Sequence, residues 1–156
     1  MSKVMTNQQQ TGQDLQHVLN VQVANWSLLG VKLHHYHWFV KGPQFYVLHE
    51  KFEELYNTAA GYVDELAERL LAVGGKPAAT MSQYLQLATL KEASNEESAE
   101  QMVGQLVADF RQLAEELKAG IDAAGQEHDD ATADLLTGMM SNVQKHAWML
   151  SAYLGK

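Results

Sequence analysis

The chain has 156 residues, enough for one domain with a substantial core and too few for two comfortable ones. It contains no cysteine, which excludes a disulfide framework or a thiolate metal site, and only two prolines, which suits a compact helical protein. A formal net charge of −8 argues against nonspecific grip on nucleic acid or anionic membrane and fits a protein that gathers cations. The N-terminus lacks a charged-then-apolar leader pattern, and no apolar run is long enough to cross a bilayer, so the expectation is a soluble, cytoplasmic protein.

Residues 1–11 (MSKVMTNQQQT) are polar and rich in glutamine and read as a mobile tail, leaving 12–156 as one bundle domain. From about residue 13 to 40, Leu15, Val18, Leu19, Val23, Trp26, Leu29 and Leu33 recur at three- and four-residue steps, which predicts an amphipathic helix. Gly42-Pro43 stops it, because proline cannot continue the hydrogen-bond ladder and restricts its predecessor. A second helix starts near Gln44, carries Phe45, Leu48, Phe52, Leu55, Ala59, Val63, Leu66 and Leu70 on one side, and ends at Gly74-Gly75 before Pro77.

Residues 82–90 (SQYLQLATL) form a candidate short helix inside a long crossover. The third long helix, about 98–124, opens with Ser98 and Gln101 in capping-box spacing and closes at Gly125, with Val103, Leu106, Val107, Phe110, Leu113, Leu117 and Ile121 as its core face. The fourth, about 130–154, presents Leu135, Met139, Val143, Ala147, Leu150 and Leu154. Four helices with a long connection between the second and third predict an all-α, ferritin-like up-down-down-up bundle, with a short extra helix in the crossover.

At 100° per residue around the second helix, with His49 at zero, Glu53 falls at about 40°, Asp64 at about 60° and Glu68 at about 100°. The apolar face centres near about 280°, so this stripe points away from the bundle's own core. Di-iron bundles instead bring Glu-x-x-His motifs inward from two helices, and no Glu-x-x-His occurs in this sequence. Glu53 and Asp64 are separated by roughly 16 Å along a straight helix, too far to share one ion. A two-fold axis near Thr58-Ala59-Ala60-Gly61 would lay a second copy antiparallel and bring His49 and Glu53 opposite the partner's Asp64 and Glu68. Ala60 lies on the same stripe and is small enough for close approach, while His37 can fold back over His49. Two imidazoles and three carboxylates form a mixed N/O set suited to iron or another divalent first-row metal. By itself, either acidic pair is also what an ordinary solvated helix face looks like.

The stretches HWFVKGPQFYVLHEKFE (37–53) and VDELAERLLAVGGKP (63–77) closely resemble the two signature motifs of the Dps family, the DNA-binding proteins from starved cells. His37, Trp38, Gly42, Leu48, His49 and Glu53 supply the first motif, and the likeness runs from about Leu15 to the C-terminal KHAWMLSAYLG (145–155). The resemblance implies a hollow homo-dodecamer of tetrahedral symmetry. It would oxidise Fe(II), preferably with hydrogen peroxide, at intersubunit di-iron ferroxidase centres, store the ferric mineral inside and so protect DNA. Carried over by position, His37, His49 and Glu53 come from one chain and Asp64 and Glu68 from its partner. Glu53 stands where the family commonly has aspartate.

Trp38 lies near the centre in that family and is a candidate trap for stray oxidising equivalents; an interface aromatic fits equally well. His34 and His35 read as surface or boundary histidines. The family's acidic three-fold channels map to the start of the fourth helix, where Asp129, Asp130 and Asp134 stand, with Asp129 and Asp134 the candidates. Aspartate there is also favoured simply as a helix cap. Direct DNA binding is not carried over: the first eleven residues offer only Lys3, and no basic extension follows at the C-terminal end. The alternatives are a DNA-compacting shell without ferroxidase chemistry and a bundle enzyme that uses a di-metal centre on an organic substrate.

Overall fold

The computed structural model describes residues 7–156, with side chains from residue 14 onward. Among the described residues the regular structure is entirely α-helical: α1 (Asn7–Phe39), α2 (Phe45–Ala72), α3 (Met81–Leu87), α4 (Ala99–Gln126) and α5 (Asp130–Tyr153). The sequence predicts a tail over 1–11, but α1 already begins at Asn7, and residues 1–6 lie outside the described residues. Glutamine is a good helix former, and extending an existing helix adds one hydrogen bond per residue without a new nucleus.

The turns follow from a few backbone positions. Gly42 takes φ +115°, a value that side-chain-bearing residues rarely adopt, and so lets the chain reverse between α1 and α2. Gly74, at φ +83°, ends α2 with a paired closure: Gly75 N donates to Leu70 O (2.8 Å) and Gly74 N to Leu71 O (3.1 Å). The capping box of Ser98 and Gln101 opens α4 as its spacing predicts, and Thr80 with Gln83 forms a second one on α3.

The end of α4 differs from expectation. Helix continues through Gly125 to Gln126, and the left-handed residue is His128, at φ 58°. Asp129 N donates to Ala124 O (2.9 Å) and His128 N to Gly125 O (3.1 Å), the same closure that ends α2. Its position is set by Asp129, which caps α5 and is held by Arg69, so the reversal falls on the residue just before it.

The side-chain ties give the topology. Tyr36 donates to Glu97, Lys32 pairs with Asp109 (2.7 Å), and Gln22 reaches Glu116 (2.8 Å), so α1 and α4 run antiparallel. Asn142 donates to the Tyr62 hydroxyl (2.6 Å) and Arg69 to Asp129 (2.8 Å), so α2 and α5 do too. With each hairpin antiparallel in itself, the order is up-down-down-up, and the crossover containing α3 returns along the bundle beside α1.

Between the hairpins the core centres on Trp26, Phe52, Phe110, Leu55 and Leu106, with Trp26 meeting Tyr62 edge-on at 4.9 Å. Of the adjacent leucines on α5, Leu136 is fully buried, while Leu135 is half buried against the core. Buried Thr132, bonded to Arg69 at 2.7 Å, starts the inward stripe that passes through Leu136, Met139 and Val143. The crossover is anchored by Glu116, which accepts from Gln22 (2.8 Å), Asn25 (2.9 Å), Thr89 (2.6 Å) and Gln112 (3.0 Å). These bonds join α1, the crossover and α4 at one carboxylate.

Candidate metal centre

α2 has two faces. Leu48, Phe52, Leu55, Ala59, Leu66 and Leu70 are buried, whereas Glu53, Asp64, Glu68 and Ala60 are exposed and His49 is half buried. The predicted outward stripe is therefore present on this helix. His37 sits in the last turns of α1, only 8% exposed, because the Gly42 reversal folds α1 back alongside the start of α2.

That reversal brings the two imidazoles together. Their rings stack at 3.6 Å between centroids and 16° between planes. His37 Nδ1 lies 2.7 Å from His49 O, and His49 Nδ1 lies 2.7 Å from His37 O. A carbonyl oxygen can only accept, so each Nδ1 carries a proton and donates it. In the neutral ring the lone pair is then on Nε2, the atom left for a metal. Neither Nε2 is sealed from solvent without a partner, unlike Trp26 Nε1 and His146 Nδ1. The reciprocal bonds thus fix both tautomers and both ring orientations.

Glu53 follows His49 by one helical turn, and its Oε1 accepts from the Tyr56 hydroxyl (3.2 Å). Desolvation, then the Glu53 charge, raise the Tyr56 phenol above its ordinary value, so it is protonated and acts as donor. The Tyr56 ring stacks on His34 (3.9 Å, 11°) and meets His37 edge-on (5.3 Å, 89°). His34 is in turn held by Nδ1 donating to Gly30 O at 2.7 Å, with Trp38 at 5.3 Å from its ring. Trp38 itself is 66% exposed and projects from the same end of α1. His35 turns the other way, against Tyr36 and Phe39.

Asp64 and Glu68 stand further along the stripe, and neither forms an ion pair or hydrogen bond with any described residue. The neighbouring Arg69, a possible surface partner for Glu68, is instead engaged by Asp129 and Thr132. Among the described residues no three His, Asp or Glu side chains come together to hold a metal within one chain. Within one chain the candidates therefore stand apart: the stacked imidazole pair, Glu53 one helical turn beyond it, and, roughly 16 Å further along the helix, the two free carboxylates. A mixed nitrogen and oxygen donor set of this kind fits iron or another divalent first-row metal.

Asp129 is occupied differently. It caps α5 through Thr132 N (3.0 Å), accepts from Thr132 Oγ1 (2.5 Å) and pairs with Arg69 (2.8 Å). Partial burial alone would raise its pKa, but the Thr132 hydrogen bonds and the Arg69 guanidinium override that and hold it below the ordinary carboxylate value. Asp134, one turn on, is exposed with no bond to a described residue.

Sequence reasoning passed over Tyr56. Its signal was available: it lies three residues after Glu53 and seven after His49, on the flank of the same stripe.

Comparison with known proteins places the chain. The family model described as a ferritin-like domain matches residues 16–156. General stress protein 20U of Bacillus subtilis (strain 168) is 57% identical over 137 residues, covering 88% of this chain and 94% of its own. DNA protection during starvation protein 2 of Bacillus anthracis is 52% identical over 139 residues, covering 89% of this chain and 95% of its own. The crystal structure of Dps from Staphylococcus aureus superimposes with a TM-score of 0.90 at 51% identity, over 91% of this chain and 95% of that one.

The chain belongs to the Dps family of ferritin-like proteins. As a Dps chain it keeps the ferritin-like bundle. Its candidate metal ligands, however, stand on the outward face of α2 and at the adjoining end of α1, not between the four long helices.

Proposed function

We propose that this chain is a mini-ferritin that takes up Fe(II), oxidises it with hydrogen peroxide at centres shared between two subunits, and stores the ferric product inside a homo-dodecameric shell. The observation that carries the reading is the stacked His37–His49 pair, with both Nδ1 atoms engaged by backbone carbonyls and the Nε2 lone pairs left for a metal. Family membership supports the general role in iron storage and DNA protection, since relatives bear the name DNA protection during starvation protein.

In this reading His37, His49 and Glu53 of one subunit bind iron, and Asp64 and Glu68 of the partner subunit complete the centre across the α2 faces. The exposed Ala60 stands near the middle of the stripe, where a small side chain allows two helices to approach. Two ferrous ions each give one electron to one peroxide; its O–O bond breaks, and both oxygens leave as water after taking up two protons. Pairing the electrons in this way avoids hydroxyl radical. The carboxylates would hold the ions, and Trp38, exposed and packed beside His34, would donate an electron to a stray oxidant.

Asp134 has the free carboxylate suited to an acidic entry channel; Asp129 contributes negative potential there while its oxygens serve the α5 cap and Arg69. The net charge of −8 favours cation collection in the cytoplasm and opposes phosphate, so the protection of DNA is chemical. The test is anaerobic loading of metal-free protein with Fe(II), followed by peroxide or air in separate runs, recording ferric absorbance. Fast oxidation by peroxide, slower oxidation by air, and soluble iron far above site stoichiometry are expected. Oxidation no faster than in buffer would overturn the ferroxidase reading and leave a DNA-compacting shell, which a salt-dependent gel shift would reveal.

A further inference from the structure

Glu53 is the odd ligand of the proposed set. Its side chain is exposed and has three rotatable bonds, one more than aspartate, so nothing in its own stereochemistry fixes where the carboxylate points. Tyr56 supplies the missing restraint. Its hydroxyl donates to Glu53 Oε1 at 3.2 Å, and its ring cannot swing freely because one face stacks on His34 and His37 stands edge-on to it. His34 is itself anchored to the α1 backbone through Gly30 O. A chain of contacts therefore runs from the α1 backbone through His34 and Tyr56 to the Glu53 carboxylate.

We propose that Tyr56 is a positioning residue of the metal centre, whose clamped hydroxyl holds one oxygen of Glu53 and leaves the other turned to the metal. The proposal rests on the reading of Glu53 as a ligand. Holding the longer carboxylate in one orientation removes ordering that metal binding would otherwise have to impose. Outer partners of metal ligands act in this way, and their loss typically weakens metal binding by about tenfold or more. His34 acquires a role here that its position in the sequence did not suggest: it is the platform for Tyr56.

The test uses the full-length assembled protein and Co(II), whose visible absorption reports its coordination. Tyr56→Phe keeps the ring and its contacts with His34 and His37 and removes only the hydroxyl. Its dissociation constant for Co(II) is expected to rise about tenfold, with an altered absorption band and an unchanged melting temperature. In the Glu53→Asp background the shorter carboxylate retreats from the hydroxyl by one methylene, and adding Tyr56→Phe is expected to change Co(II) binding less than about twofold. If Glu53→Ala weakens Co(II) binding while Tyr56→Phe does not, the positioning role is overturned and the ligand assignment stands. If Tyr56→Phe weakens binding equally in both backgrounds, Tyr56 acts by another route and the proposal falls. If Glu53→Ala itself leaves Co(II) binding unchanged, the ligand assignment fails, and the proposal with it.

Discussion

The proposed division of the centre between two chains has a quantitative consequence. Take one population carrying His49→Ala and another carrying Glu68→Ala, and let them form dimers at random by co-refolding. A two-fold interface pairs the imidazole half-site of each chain with the carboxylate half-site of the other. About half of the dimers are then mixed, and each mixed dimer has one centre with both lesions and one with neither. The mixture should recover about a quarter of the wild-type rate of peroxide-driven iron oxidation, from two parents that are nearly inactive. The two half-sites lie too far apart on α2, at roughly 16 Å, for one chain to rescue itself. Ferric absorbance in stopped flow, with differently tagged chains to confirm mixing, measures the recovery. A fully mixed sample no more active than its parents would refute the intersubunit centre, because a site within one chain leaves every chain with a lesion.

Two further outcomes are expected. Asp134→Asn should slow iron uptake by the assembled shell at low Fe(II), without changing assembly as judged by size-exclusion chromatography; an unchanged uptake rate would remove the channel role. Lys32→Met should destabilise the protein by about 3–5 kcal/mol, because it leaves Asp109 without its cation in a site where the two side chains are only 2% and 9% exposed. Adding Asp109→Leu should recover most of that loss in chemical unfolding, since apolar packing replaces a buried pair at little cost. A double variant no more stable than the single one would show that the loss comes from the Lys32 bond to Lys91 O, which helps secure the crossover.

Apolar periodicity and punctuation made the helices legible. The three- and four-residue steps through Leu19, Val23, Trp26 and Leu33, the break at Gly42-Pro43 and the capping box at Ser98 are local effects, carried by few neighbouring residues. The outward stripe of His49, Glu53, Asp64 and Glu68 was legible for the same reason: helix geometry alone puts them opposite Leu48, Phe52 and Leu66. The pattern failed where two readings differed by one residue or by context. Leu135 and Leu136 share a periodic pattern, and burial of Thr132 against Arg69 chose between them. Gly125 looked like the stop, but the Asp129 cap placed the turn at His128.

The sequence by itself determined an acidic, all-helical chain of the Dps kind whose acidic stripe turns away from its own core. Only tertiary structure decided which partners the residues at the start of that stripe meet. The reciprocal bonds between His37 and His49 join residues twelve apart across a chain reversal, and their imidazole tautomers follow from which carbonyls that reversal presents. The same packing of α1 on α2 sets Tyr56 against His34 and aims its hydroxyl at Glu53. Helical spacing fixes a residue's direction about its own axis, whereas the partner it meets depends on how two helices are set against each other.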